Sequence, residues 1–137
     1  MSYTVYEMKV GQSSSFTKTI TESDVYLFAG ITGDFNPAHL NLEYAKKTRF
    51  QKRIAHGMLS ASLISTVLGT QLPGQGSIYL KQEIDFLAPV YLGDTITAVV
   101  EVKELNPEKN RVIMHTYCKN QEDKLVVDGQ ATVMPPK

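Results

Sequence analysis

The stretch Met58-Leu59-Ser60-Ala61-Ser62-Leu63-Ile64-Ser65-Thr66-Val67-Leu68-Gly69-Thr70-Gln71-Leu72 decides the fold. Leu59, Leu63 and Val67 share one helical face, and Met58, Ile64 and Leu68 fill much of the rest. Before Gly69, only Ser60, Ser62, Ser65 and Thr66 interrupt the apolar surface. A helix that is apolar nearly all round is a buried helix. In a chain of 137 residues such a helix must be wrapped by the remaining segments.

The downstream sequence supplies the wrapping. Pro73-Gly74-Gln75-Gly76 reads as a loop. Four alternating runs follow it. Ile78, Leu80, Ile84, Phe86 and Ala88 alternate with Tyr79, Lys81, Glu83 and Asp85. Ile96, Ala98, Val100 and Val102 alternate with Thr95, Thr97, Glu101 and Lys103. Val112, Met114, Thr116 and Cys118 alternate with Arg111, His115 and Lys119. Leu125, Val127, Ala131 and Val133 alternate with Asp128, Gln130 and Thr132. Period-two runs joined by short polar turns predict half-buried strands of an antiparallel sheet. His115 falls on the polar face of its strand, which predicts an exposed or edge histidine.

Upstream of the helix, Phe16 and Ile20 alternate with Ser15, Thr17 and Thr19, a short strand over 14–20. Thr21-Glu22-Ser23-Asp24 resembles a capping box with Asp in place of Glu. Val25, Phe28, Ala29 and Thr32 then recur at helical spacing, and Gly33 stands where a glycine cap is expected. One helical turn is predicted at Leu42-Glu43-Tyr44-Ala45. Lys46, Lys47, Arg49, Lys52 and Arg53 follow, five cations in eight residues. Such a run is by default a solvated loop, and the sharper alternative is a contact for a ligand's phosphates. Gly57 lies at the start of the buried helix. Backbone N–H groups there lack intrahelical partners and can receive an oxyanion. A glycine that merely opens the helix is the competing reading.

Basic and acidic residues number 14 each and cancel, which argues against a nucleic-acid partner. The single cysteine, Cys118, excludes an intrachain disulfide and a Cys-rich metal site. No signal peptide is expected from Met1-Ser2-Tyr3-Thr4, and no apolar run approaches the ~20 residues of a membrane span. The expectation is one cytoplasmic domain over residues 1–137.

The chemistry is expected in Thr32-Gly33-Asp34-Phe35-Asn36-Pro37-Ala38-His39. Pro37 fixes its own φ and keeps Asn36 out of the helical region, so a stiff loop should follow the first helix. Asp34 and His39 could then face one pocket, an arrangement suited to general acid–base chemistry on water or a carbon acid. Taken alone, the spacing also fits a turn aspartate bonding its own backbone and a packing histidine.

Three segments together carry a resemblance. Phe28-Ala29-Gly30-Ile31-Thr32-Gly33-Asp34-Phe35-Asn36-Pro37-Ala38-His39 is the specific one. Ile54-Ala55-His56-Gly57-Met58-Leu59 and Phe86-Leu87-Ala88-Pro89-Val90-Tyr91-Leu92-Gly93-Asp94 support it. They resemble the MaoC-like dehydratases of hot-dog fold, nearest to the (R)-specific enoyl-CoA hydratases. The resemblance implies an α+β domain with an antiparallel sheet wrapped around a long helix. It implies hydration of a trans-2-enoyl-CoA to the (R)-3-hydroxyacyl-CoA, with Asp34 and His39 activating water and the Gly57 N–H receiving the thioester oxygen. Asn36 would orient the loop or site, Ser65 would border the substrate, and Lys46, Lys47 and Arg49 become candidate contacts for coenzyme A phosphates. His56 would shape the start of the helix. No metal or cofactor is implied, and a homodimer is. Fatty-acid metabolism or supply of polyhydroxyalkanoate synthesis would be the setting. A hot-dog acyl-CoA thioesterase is the rival enzyme, although it has no need of the adjacent histidine. A non-catalytic acyl-CoA binding module is the second rival, and would need a partner segment for which this length leaves no room.

Overall fold

Ile64, Val67 and Leu68 of the long helix are at most 2% exposed, and every other element is arranged around them. The computed structural model describes residues 1–137. In chain order the elements are β1 (Ser13–Thr19), α1 (Glu22–Thr32), α2 (Pro37–Leu40), α3 (Leu42–Lys46), α4 (Gly57–Thr70), β2 (Ile78–Phe86), β3 (Thr95–Asn106), β4 (Arg111–Lys119) and β5 (Leu125–Met134). The five strands form one antiparallel sheet in the order β1-β3-β4-β5-β2. Helix α4 packs on its inner face. Ile96, Ala98, Val100 and Val102 of β3, with Val112, Met114 and Cys118 of β4, supply that face and are fully buried. These are the alternating residues the sequence pattern predicts.

Three features depart from the pattern. Strand β2 is exposed along most of its length: Ile78, Leu80 and Phe86 are 53%, 45% and 54% exposed. It is the last strand of the sheet and has a neighbour on one side only. In β5, Leu125 is exposed while Val126 and Val127 are both buried. The pairing shifts by one residue between Cys118 and Lys119, so the bulge turns Val126 inward. Helix α4 is also not buried all round. Ser60, Ala61, Leu63, Ile64, Val67 and Leu68 face the core, whereas Met58, Ser62 and Ser65 form an exposed stripe. The sheet curls around one side of the helix and leaves that stripe open near β2.

The one buried polar side chain of β4, Thr116, receives a hydrogen bond from Gln82 Nε2 of β2 at 2.8 Å. Gly129 lies between them on β5, where an added Cβ would sit 1.9 Å from the Glu83 carbonyl oxygen. Glycine therefore permits the close approach of β2. His115 lies on the outer face, half-buried, with Nε2 2.7 Å from Asp128 Oδ1.

Candidate active site

Asp34 is placed by the way α1 begins and ends. The Thr21 hydroxyl accepts the Asp24 N–H at 3.1 Å, and the Asp24 carboxylate accepts the Thr21 N–H at 2.9 Å, a reciprocal capping box. At the other end Gly33 takes a left-handed φ of 80° and donates its N–H to Ala29. Asp34 follows directly. Its Oδ1 accepts the Asn36 N–H at 3.2 Å, which leaves the second carboxylate oxygen free.

His39 is carried by a helical turn, α2, where the sequence predicts a loop. The proline that ends one helix also starts the next. Pro37 occupies the first turn of α2, and the Asn36 side chain caps it by accepting the Ala38 N–H at 3.0 Å. Ile54 then clamps the turn. Its N–H donates to the Ala38 carbonyl at 3.2 Å, and its carbonyl accepts the His39 Nδ1–H at 2.7 Å. That bond fixes the tautomer, with Nε2 as the unprotonated nitrogen. Burial also pushes the His39 pKa below its usual value. The neighbouring His56 pushes the same way, against the Ile54 carbonyl and Asp34. The net downward shift favours the neutral imidazole, the form a base needs.

The donor atoms of Asp34, His39 and His56 all lie within 4.8 Å of one another. A single water at ordinary hydrogen-bond distance from two such atoms spans up to about 5.6 Å, so one water can bridge the pair. A metal ion fits this trio less well. The His39 and His56 rings stack with centroids 3.9 Å apart and planes inclined by 31°. One nitrogen of each ring is already committed to a backbone carbonyl, His39 Nδ1 to Ile54 and His56 Nε2 to Asp34.

His39 and Gly57 both line a cleft of about 450 Å³. Its other walls are mostly apolar and include Ile54, Phe86, Val90 and Val127. Gly57 is the first residue of α4, and the preceding His56 makes no side-chain cap. The Gly57 N–H has no partner within the helix. An added Cβ at Gly57 would lie 2.8 Å from two ring carbons of Phe86. Glycine thus keeps both the N–H and the aromatic wall where they are.

The remaining candidates separate. Arg49 lines the same cleft, with its guanidinium carbon 4.9 Å from the centroid of the Phe50 ring. Lys46 is paired with Glu43 at 3.1 Å, and Lys47 is the exposed cap residue of α3. Arg53 is committed to Glu22 at 2.9 Å and to the Tyr26 hydroxyl. Asn36 caps α2. Ser65 opens instead into a second cavity, bounded by Met58, Ser62, Tyr79, Gln82 and Phe86. Met58 and Phe86 line both cavities and separate them. His56, which the sequence marks only as a helix opener, belongs to the site: its Nε2–H donates to the Asp34 carbonyl at 3.0 Å. The His-Gly pair at the start of an apolar helix was its only local signal.

Comparison with known proteins agrees with this fold. The model of the MaoC like domain matches residues 5–124. The (R)-specific enoyl-CoA hydratase of Rhodospirillum rubrum is 57% identical over 130 residues, covering 95% of this chain and 90% of that protein. Among solved structures, R-hydratase PhaJ1 from Pseudomonas aeruginosa superposes with a TM-score of 0.95 at 49% identity, over 99% of this chain and 87% of that one. The (R)-hydratase from Aeromonas caviae involved in PHA biosynthesis superposes with a TM-score of 0.92 at 44% identity, over 94% and 98%. The wrapped-helix fold is therefore the hot-dog fold.

Proposed function

The chain belongs to the MaoC-like domain family, and on that premise we propose that it hydrates trans-2-enoyl-CoA to (R)-3-hydroxyacyl-CoA. The observation that carries the reading is a tautomer-fixed His39 and the free N–H of Gly57 on one cleft, with the Asp34 carboxylate, which does not itself line that cleft, within 4.8 Å of the imidazole.

Conjugate addition of water needs a base for water, an acid for carbon and an electrophile for the carbonyl. Asp34 and His39 hold one water between them. His39 Nε2 takes a proton as the water oxygen bonds to C3. The C2=C3 electron pair moves toward the thioester, and the negative charge that develops on its oxygen is met by the Gly57 N–H. The pair then returns the proton to C2, so that one water is added in full. One preorganised oxyanion donor typically contributes about 3 kcal/mol to such a barrier. The apolar walls accept the hydrocarbon parts of the substrate. Arg49 is the basic residue best disposed toward the phosphates, and Lys46 is weakened for that role by Glu43. Asn36 acts by holding the α2 turn, and Ser65 borders the second cavity, beyond the Met58–Phe86 wall.

The open side of the molecule supports a homodimer. Strand β2 offers an unpaired edge, and Ile78, Tyr79, Leu80, Phe86 and Met58 are exposed beside it. Such an edge invites pairing with another chain, and a second copy supplies one. A cytoplasmic setting suits a chain whose only cysteine is free and buried. No helix is long and apolar enough to cross a membrane. By likeness to the Aeromonas caviae protein, the product would feed PHA biosynthesis, a branch from fatty-acid metabolism.

The test is to add the protein to crotonyl-CoA. Loss of the enoyl-thioester absorbance, with (R)-3-hydroxybutyryl-CoA by chiral analysis, is expected. Release of free thiol without loss of the double bond would favour the thioesterase instead. Light scattering on the eluted protein tests the dimer.

A further inference from the structure

His56 is a group to which the hydration scheme gives no role. It is 2% exposed. It sits at the N-cap of α4 but makes no capping bond, and its Nδ1 has no hydrogen-bond partner. A buried polar atom without a partner costs stability, and an apolar ring would fill the same space without that cost. The imidazole therefore has a purpose other than filling. Its contacts say what the purpose is. The Nε2–H donates to the main-chain carbonyl of Asp34, 22 residues earlier. The ring stacks on His39 at 3.9 Å between centroids. Phe28 of α1 packs against it at 5.0 Å, tilted by 54°. The next residue in the chain is Gly57.

We propose that His56 is a positioning residue that sets Asp34, His39 and the Gly57 N–H in register for attack of water on the enoyl thioester. It acts through its N–H on Asp34 and through its ring on His39. The inference rests on the hydratase reading of the site. Asp34 lies on an exposed turn just after a left-handed glycine. The only other bonds to that residue are short-range ones from its own turn, to Thr32 and Asn36. The His56 bond is the one that ties the turn to α4, and so ties the carboxylate to the helix start that carries the oxyanion donor. The stack sets the plane of the His39 ring, whose Nδ1 is already pinned by Ile54. One ring thus references all three reacting groups to one another, and a displacement near 1 Å at such a site typically costs about 10²-fold in rate.

Two substitutions separate the two contacts. His56→Gln keeps a donor for the Asp34 carbonyl and loses the ring. His56→Phe keeps a stacking ring and loses the donor. Thermal midpoint, kcat and KM for crotonyl-CoA are measured for both beside the unaltered protein. The expected result is an unchanged KM, a kcat reduced about 10²-fold in His56→Phe, and recovery of about tenfold of that loss in His56→Gln. Hydration by the unaltered protein with a folded His56→Phe variant at full kcat would overturn the inference and leave the hydratase reading intact. A His56→Gln variant as slow as His56→Phe would overturn the role of the N–H. Where His56→Phe does not fold, His56→Gln decides alone: a kcat about tenfold below normal at unchanged KM supports the inference, and a full kcat overturns it. Absence of hydration by the unaltered protein would instead remove the reading beneath it.

Discussion

The His39 Nδ1–H donates to the carbonyl of Ile54 at 2.7 Å, 15 residues further along the chain. This bond connects the α2 turn to the segment that leads into α4. It also decides the chemistry of the ring, since it leaves Nε2 as the lone-pair nitrogen at the cleft. A histidine used as a base must present an unprotonated nitrogen and must stay neutral at working pH.

The pH dependence follows from the second condition. Burial lowers the His39 pKa from 6.5. The neutral form therefore persists below the pH at which a free histidine would be half protonated. The acid limb of kcat/KM should inflect below pH 6.5, with the plateau extending through neutrality. A pH–rate profile on crotonyl-CoA measures this, and an inflection above 6.5 would contradict it. The sign for stability is the same. The unfolded chain takes up the His39 proton first, so this group lowers stability as pH falls through 6.5 and has no such effect above it.

Gly57→Ala should preserve the helix and damage the site. The added methyl would meet the Phe86 ring at 2.8 Å, so either the ring or the N–H must move. A loss of kcat of about 10²-fold, with little change in thermal midpoint, is expected. Combining it with Phe86→Ala should restore part of the rate by removing the clash. Full activity in Gly57→Ala would show that the Phe86 ring yields to the added methyl without displacing the N–H.

The Thr21→Ala substitution tests how α1 supports Asp34. It removes one half of the capping box and should cost about 1 kcal/mol of stability in urea unfolding. It leaves every group at the cleft in place, so kcat should stay near normal in the folded protein. A large loss of kcat without loss of stability would mean that Thr21 acts on the site and not on the helix.

For the basic segment, Arg49→Ala should raise KM for the coenzyme A ester at low salt, with a smaller effect on kcat. The difference should shrink as ionic strength rises, because screening is strong beyond about 10 Å at 0.1 M salt. Lys46→Ala should do less, since Glu43 already holds that ammonium. Equal effects of the two substitutions would argue for a diffuse field over a specific contact.

Much of this architecture is legible in the sequence because its determinants are local. The start of α1 is written in Thr21 and Asp24, its end in Gly33, and the inner faces of β3 and β4 in strict alternation. The Asp34–His39 spacing is local too, and the structure brings both groups together. What is not legible depends on distant partners. The α2 turn forms because Ile54 returns to meet Ala38 and His39, and no window around Pro37 contains that residue. Strand β2 carries the same alternation as its neighbours, and its exposure comes only from its place at the end of the sheet. The inward turn of Val126 arises from a bulge, which adds one residue and leaves no mark in composition. His56 looks like a helix opener until its ring is seen against Asp34 and His39.

The most direct test of the central claim is the turnover of crotonyl-CoA by Asp34→Asn, His39→Gln and the double variant, each checked for folding. If the two groups share one water, each single substitution should lower kcat by about 10²–10⁴-fold, and the double should be scarcely slower than the worse single. Near-normal turnover by either single variant, or losses that multiply in the double, would contradict the account.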